Sequence, residues 1–282
     1  MATTRFQAEV LKLIASSRVA KGASYIAGGL ALNHQLKQSR LSSDIDIFND
    51  SSEAMTRAAE RDIAVLAAAG YEIRKNRHNQ YMVDATVTNG EECTDLQWVI
   101  DSAFRFFPLV TDDLLGYTLH PFDLAINKLL ALEGRRVPRD WVDVIACCEG
   151  IQPLAYLIWA ANGKDQGVTP FYLLDVASQV RYSKMEFERA IRAEAQIDGA
   201  ALSMKWKWMI SAARLTLTLL PPEEVGKVVL DKDGRLFRGS DEELAAALDK
   251  GEIVFHEGTL CGAWPTVSDR SETVNTLDGD NL

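Results

Sequence analysis

Two aspartates separated by one residue carry the strongest chemical signal in the chain. The stretch Ser42-Ser43-Asp44-Ile45-Asp46-Ile47-Phe48 alternates polar and apolar residues, the pattern of a half-buried strand. Side chains along a strand alternate faces, so Asp44 and Asp46 share one face while Ile45 and Ile47 share the other. Like-facing carboxylates ~6–7 Å apart along a strand repel each other unless a cation lies between them. Oxygen donors of this kind suit Mg²⁺, with Mn²⁺ as the alternative, and that cation binds nucleoside triphosphate oxygens as well. The plainer reading is an edge strand with two solvated acids.

Other residues join this pair. Ser24–Ala27 reads as a short strand, Gly28-Gly29 as a turn, and Leu30–Leu36 as the start of a helix. Glycines without Cβ let a phosphate approach the backbone, and the free amides at a helix start bind anions. In Thr94-Asp95-Leu96-Gln97-Trp98, Asp95 and Gln97 share a face. Asp95 is then the candidate third carboxylate of a two-metal clamp, in which one metal activates an attacking hydroxyl and the other steadies the leaving pyrophosphate. Asp84 on the partner strand competes for this role. Lys128 has Leu124, Ala125, Ala131 and Leu132 as helical neighbours, so it is not expected to face open water. A lysine buried alone is costly, so it needs an anionic partner: a triphosphate or Asp143. Asp140 and Asp143 follow Pro138 and also have an ordinary explanation, as a helix cap and a dipole partner.

The order Gly-Gly, about 15 residues, Asp-x-Asp, then a later strand aspartate is more specific than its parts. Here the chain resembles the polymerase β-like nucleotidyltransferases, and more narrowly the AbiEii/AbiGii-type toxin nucleotidyltransferases. The matching text is Gly28-Gly29-Leu30-Ala31-Leu32, Arg40 through Phe48, Phe122 through Leu132, and Arg139 through Val144. The resemblance covers about residues 20–150. It implies an NTP substrate, Mg²⁺ on Asp44, Asp46 and Asp95, and phosphates held by Gly28, Gly29 and Lys128. It assigns Lys128, Asp140 and Asp143 to nucleotide binding and catalysis, with Arg40, Ser42 and Arg139 orienting phosphate or the metal-bearing strand. Asp95 is also the group expected to help deprotonate the acceptor. Many relatives have Ser where this chain has Gly29, which leaves the phosphate loop with amides alone. Family members are toxins held by a cognate antitoxin, and some add nucleotides to a tRNA 3′ end. A tRNA acceptor and an antitoxin protein are the implied partners.

The elements that must position these residues suggest an α/β (α+β) chain. Thr3 or Thr4 caps a first helix; residues 51–69 form an alanine-rich helix; Tyr81–Thr88 and Thr94–Ile100 form a hairpin about Asn89-Gly90. From about residue 121 the pattern is helical almost to Pro221-Pro222. Four segments follow: a nucleotidyltransferase domain with a small mixed sheet (1–115), a mainly helical domain completing the NTP cleft (116–222), a small α/β extension (223–264) and a polar, acidic tail expected to be disordered (265–282). In the extension, a hairpin is expected around Asp231-Lys232-Asp233-Gly234 and a short helix near 241–249.

Composition agrees. The 282 residues are 47% hydrophobic and 25% charged, ordinary for a globular chain, and the formal net charge of −10 argues against a surface coated in phosphate contacts. Cys93, Cys147, Cys148 and Cys261 form no CxxC pair, which fits a reducing, cytoplasmic setting. No signal peptide or membrane span is expected. The basic run Arg74, Lys75, Arg77, His78 and the Lys205–Trp208 stretch are weaker candidates for touching RNA. The alternatives to the NTP-to-acceptor reading are a transferase acting on a protein or small-molecule hydroxyl, and a non-catalytic nucleotide-binding or partner-binding module on the same fold.

Overall fold

The computed structural model describes residues 3–15, 24–38, 40–191 and 197–265. The tail expected to be disordered thus lies, from residue 266 on, outside the described residues. Helix α1 (Arg5–Ala15) starts where Thr4 Oγ1 accepts the Gln7 amide, so Thr4 supplies the cap. Strand β1 (Ser24–Ile26) runs into helix α2 (Gly28–Gln35), and strand β2 (Asp44–Asn49) carries the two aspartates. Helix α3 (Ser52–Ala68) is capped by Ser51.

A long antiparallel ribbon follows: β3 (Glu72–His78), β4 (Met82–Thr88) and β5 (Cys93–Ile100). The β4–β5 turn forms as Asn89-Gly90 demands. Gly90 takes φ +95°, and Asn89 Oδ1 accepts the amides of Glu91 and Glu92. Three short strands complete the first half: β6 (Phe104–Arg105), β7 (Val110–Asp112) and β8 (Gly116–Thr118).

The sheet is larger than the small one expected. Seven strands run in the order β3-β4-β5-β2-β1-β8-β7, with β2/β5 and β1/β8 parallel and the remaining pairs antiparallel. Sequence reading missed β3 because almost every one of its residues is exposed, so the edge strand has no apolar alternation to show. It missed β7 and β8 because each is only three residues long.

In β2, β4 and β5 alternate residues are buried: Ile45, Ile47, Val83, Ala85, Val87, Leu96 and Trp98 face α1 and α3. The opposite face stays open and carries the polar residues.

Helices make up the next third: α4 (Pro121–Arg135), α5 (Pro138–Gly150), α6 (Leu154–Lys164), α7 (Pro170–Gln179), α8 (Lys184–Ala190) and α9 (Gly199–Leu219). Helix α4 packs against α2, α5 and α6 and so joins the sheet to the helical part. The pair of tryptophans in α9 divides, with Trp206 buried and Trp208 70% exposed. No single helix among the described residues is long and apolar enough to cross a membrane.

In the C-terminal part, strand β9 (Val228–Asp231) pairs with β10 (Ile253–His256) across helix α10 (Asp241–Asp249). The expected hairpin at Asp231–Gly234 is therefore only a turn closed by a single Leu230–Leu236 bridge; the strand partner comes from beyond the helix. A last strand, β11 (Thr259–Leu260), returns to β6.

Gln152, fully buried, ties this part to the helices by donating its amide to the carbonyls of Val229 (2.8 Å) and Phe237 (2.9 Å). Gln152→Ala takes the side-chain donor from the Phe237 carbonyl, while the Val229 carbonyl keeps the Phe237 amide at 3.0 Å, and urea unfolding is expected to show a loss of about 1–3 kcal/mol. An unchanged midpoint would show that water satisfies the Phe237 carbonyl instead.

Candidate active site

The open face of the sheet meets α4 and α5 at a two-part cleft. One cavity, of about 370 Å³, is mostly polar and is bordered by Gly29, Arg40, Ser42, Asp44, Lys128 and Arg139. The adjoining one, of about 430 Å³, is more apolar and is bordered by Gly28, Phe48, Met82, Val99, Leu124 and Asn127. Asp46, Gln97, Lys128 and Arg135 border both.

Gly28 and Gly29 sit where β1 turns into α2. Gly28 has φ +67°, a backbone state that L side chains rarely adopt, and a Cβ there would lie 1.8 Å from Asp46 Oδ2. A Cβ on Gly29 would meet Arg40 Nη2 at 2.6 Å and come within 3.6 Å of Lys128 Nζ. The first glycine thus admits the acid of the site and the second admits its bases. Asp44 is oriented by the hydroxyls of Ser42 (3.2 Å) and Ser43 (3.1 Å), both donating to Oδ1. The Gln7 side chain donates to the Ser42 carbonyl and anchors the entry to β2.

Behind the polar cavity lies a buried ion network. Arg40 donates to both oxygens of Asp143, each at 2.8 Å. Lys128 Nζ lies 2.9 Å from Asp143 Oδ2 and 3.4 Å from Asp140 Oδ1. Arg135 donates to Asp140 at 2.6 and 3.0 Å. Burial pulls the Lys128 pKa down, but Asp143 and Asp140 outweigh it and the ammonium is held charged. Asp140 is likewise held below the usual carboxylate range, because the Arg135 and Lys128 contacts overcome its burial.

Neither acid acts as the helix cap considered from sequence. Val137 occupies the N-cap of α5, and both carboxylates point into the network. Neither borders either half of the cleft; both carboxylates hold Lys128, Arg40 and Arg135 in place.

Burial, and then the neighbouring Asp44, push Asp46 up to about 6, against the opposing pull of Lys128, Arg135 and Arg139. That strain is what a bound cation relieves, so the pair fits Mg²⁺.

The third ligand does not join the pair. Asp95 is level with Asp44 on the adjacent strand, but its Oδ1 accepts the Thr86 hydroxyl at 2.7 Å, on the side away from β2. Among the described residues, no three acidic, His or Cys side chains are close enough to hold an ion together. Asp84 is one strand further away, opposite Gln97. A Mg²⁺ here would have two protein carboxylates and take its other ligands from substrate phosphate and water, a common arrangement for this ion.

Sequence reading did not single out Arg135 or Gln97 as site residues. Arg135 lies seven residues, two helical turns, beyond Lys128 and so on the same face of α4; that spacing was a usable signal. Gln97 lies directly opposite Asp46 in the β2–β5 register, a pairing that no local pattern reveals.

The arrangement of β1–Gly-Gly–α2 beside an Asp-x-Asp strand, with helices closing the cleft, is the nucleotidyltransferase fold. The structure is similar to that of MenT4, a nucleotidyltransferase toxin from Mycobacterium tuberculosis H37Rv, with a TM-score of 0.52 and 12% identity over 85% of each chain. A weaker likeness, to JHP933 from Helicobacter pylori, has a TM-score of 0.47 and 15% identity over 77% of this chain and 95% of the other. No protein-family model and no curated protein sequence matches the chain. At 12% identity the likeness to MenT4 is one of fold.

Asp46 also sets a pH dependence. Its folded pKa lies above the ordinary 3.8, so without metal the folded state binds the extra proton and stability falls as pH rises from about 4 to about 6. Mg²⁺ binds the ionised form and is expected to restore stability above pH 6 and lose affinity below it. Thermal unfolding from pH 4 to 8, with and without Mg²⁺, tests this; a Mg²⁺ effect equal at all pH values would contradict it.

Proposed function

We propose that the chain is a divalent-cation-dependent nucleotidyltransferase that moves a nucleoside monophosphate from an NTP to an acceptor hydroxyl. The observation that carries this reading is the juxtaposition in one cleft of an acidic floor, Asp44 and Asp46, and a basic wall, Lys128, Arg135, Arg139 and Arg40. The two halves suit the two ends of a metal–triphosphate.

In this reading the polar cavity takes the triphosphate. Lys128, Arg135 and Arg139 face its oxygens, together with the free amides at the start of α2. Arg40 is committed to Asp143 through two hydrogen bonds and borders the same cavity, so it adds charge at a fixed position. The apolar cavity takes the nucleoside, with Phe48, Val99, Met82 and Leu124 available for packing. Asp44 and Asp46 would hold the Mg²⁺, which would supply charge neutralisation for the phosphates and make a bound hydroxyl easier to deprotonate.

The protein's own contribution is positioning. Gly28 leaves the Asp46 carboxylate room against the phosphate loop, Ser42 and Ser43 hold Asp44, and Asp140 and Asp143 hold the cations in place. Catalysis of this kind needs few reacting side chains. The acceptor approaches along the open sheet face, where Asp95 and Gln97 stand; Asp95, exposed on the strand beside Asp44, is assigned to acceptor deprotonation in this reading and must first leave the Thr86 hydroxyl.

Residues 1–115 form the nucleotidyltransferase domain in this reading, 116–222 the helical domain completing the cleft, and 223–264 the small extension. The toxin neighbour supports a toxin role; a cognate antitoxin is the partner this role would call for, and a tRNA 3′ end is the acceptor tested first.

The test is label transfer. Incubated with α-labelled NTPs, Mg²⁺ and either total tRNA or cell lysate, the wild-type chain is expected to label an acceptor, and Asp44→Ala with Asp46→Ala to fall to background. Labelled protein in place of RNA would identify a protein-modifying transferase. NTP binding by calorimetry without transfer to any acceptor would favour the non-catalytic module.

A further inference from the structure

Strand β3 lies at the free edge of the sheet and carries Arg74, Lys75 and Arg77, all exposed, in a chain of net charge −10. In an unbroken strand, residues three apart face opposite ways. Here the register shifts between Lys75 and Arg77, so that Arg74 lies opposite Thr86 and Arg77 opposite Asp84. Thr86 and Asp84 are both on the open face, level with Asp95 and Gln97, which are in turn level with Asp44 and Asp46. The β-bulge therefore brings both arginines onto the face that holds the acidic pair, while Lys75, opposite buried Ala85, is left on the other.

Contacts across this face hold the two side chains there. Arg74 donates to Asn76 (3.3 Å), Asn76 to Thr86 (2.9 Å) and Thr86 to Asp95 (2.7 Å), a chain of hydrogen bonds that runs from the edge to the site. Arg77 lies against Met82 Sδ at 3.9 Å, and Met82 borders the apolar cavity. Next to it, Tyr81 is 67% exposed at the β3–β4 turn. Among the described residues neither arginine has a carboxylate partner. Three strand spacings separate β3 from β2, about 14 Å. Arginines without a carboxylate within ion-pair distance, continuous with an apolar floor, suit the phosphates of a single-stranded nucleic acid.

We infer that Arg74 and Arg77, placed on the cleft's face by the β3 bulge, form the docking strip for the phosphate backbone of a single-stranded polynucleotide whose terminal hydroxyl is the acceptor. This rests on the nucleotidyltransferase reading and names the acceptor's class and its path to the site. A protein partner adding a strand to β3 is disfavoured, because the bulge breaks the regular edge that such pairing requires.

The experiment uses the full chain and a fluorescently labelled single-stranded RNA oligonucleotide of mixed sequence with a free 3′-hydroxyl. Binding is followed by anisotropy across a salt series, with Mg²⁺–NTP calorimetry on the same proteins. Arg74→Ala with Arg77→Ala is expected to weaken RNA binding roughly tenfold and to make the log–log salt slope shallower by about 1.4, two contacts at ~0.7 each, with NTP affinity unchanged. Lys75→Ala, on the other face, should leave the slope as in the wild type.

No RNA binding by the wild type, equal binding by the double variant, or a Lys75→Ala effect as large as that of Arg77 would each overturn the strip. Loss of NTP binding in the wild type would instead overturn the transferase reading, so the two failures are distinguishable.

Discussion

Five buried or half-buried charges, Arg40, Asp143, Lys128, Asp140 and Arg135, hold the cleft together. They come from three separate stretches: the segment before β2, helix α4 and the first turns of α5. Buried charges are tolerated only when paired and hydrogen-bonded, so each partner dictates the position of the next. The network therefore fixes α4 and α5 against the Asp-x-Asp strand. It also aims cations at the space above the aspartates while the acids that hold them stay out of contact with it. Removing either acid leaves uncompensated positive charge in a nearly dry interior, which is why these two carboxylates are as integral to the cleft as Asp44 and Asp46.

The two glycines complete this arrangement from the other side. Gly28 is in contact with the Asp46 carboxylate and Gly29 with the Arg40 guanidinium, so acid and base approach the same turn of backbone from opposite directions. A serine in place of Gly29 would have to displace Arg40. The absence of a side chain at that position and the two-hydrogen-bond Arg40–Asp143 pair are thus two parts of one packing solution. Asp46, forced close to Asp44 and away from water, is left with a proton affinity that a cation can exploit.

Much of this was legible in the residues. Alternation in 43–48 placed Asp44 and Asp46 on one face, Asn89-Gly90 placed the β4–β5 turn, and the apolar neighbours of Lys128 required an acid for it, which Asp143 and Asp140 provide. Asp95 reads from local pattern as a third ligand because it is level with Asp44, yet a threonine on the next strand takes its carboxylate. Asp140 reads as a cap because it follows a proline at a helix start, yet Arg135 and Lys128 claim it. Strand β3 was invisible as a strand because exposure on both faces erases the alternation by which strands are recognised.

Sequence by itself determined which residues can do chemistry here and on which face of which element they lie, because facing follows from the strand and helix periods alone. Tertiary structure decided which of those residues meet: that Gln97 rather than Asp95 borders the cleft, that Arg135 joins Lys128 over it, and that a bulge turns Arg77 toward the site. Such outcomes depend on the register between strands and on the competition of several cations for two buried acids. Both are set by packing across distant parts of the chain, which leaves no trace in local residue order.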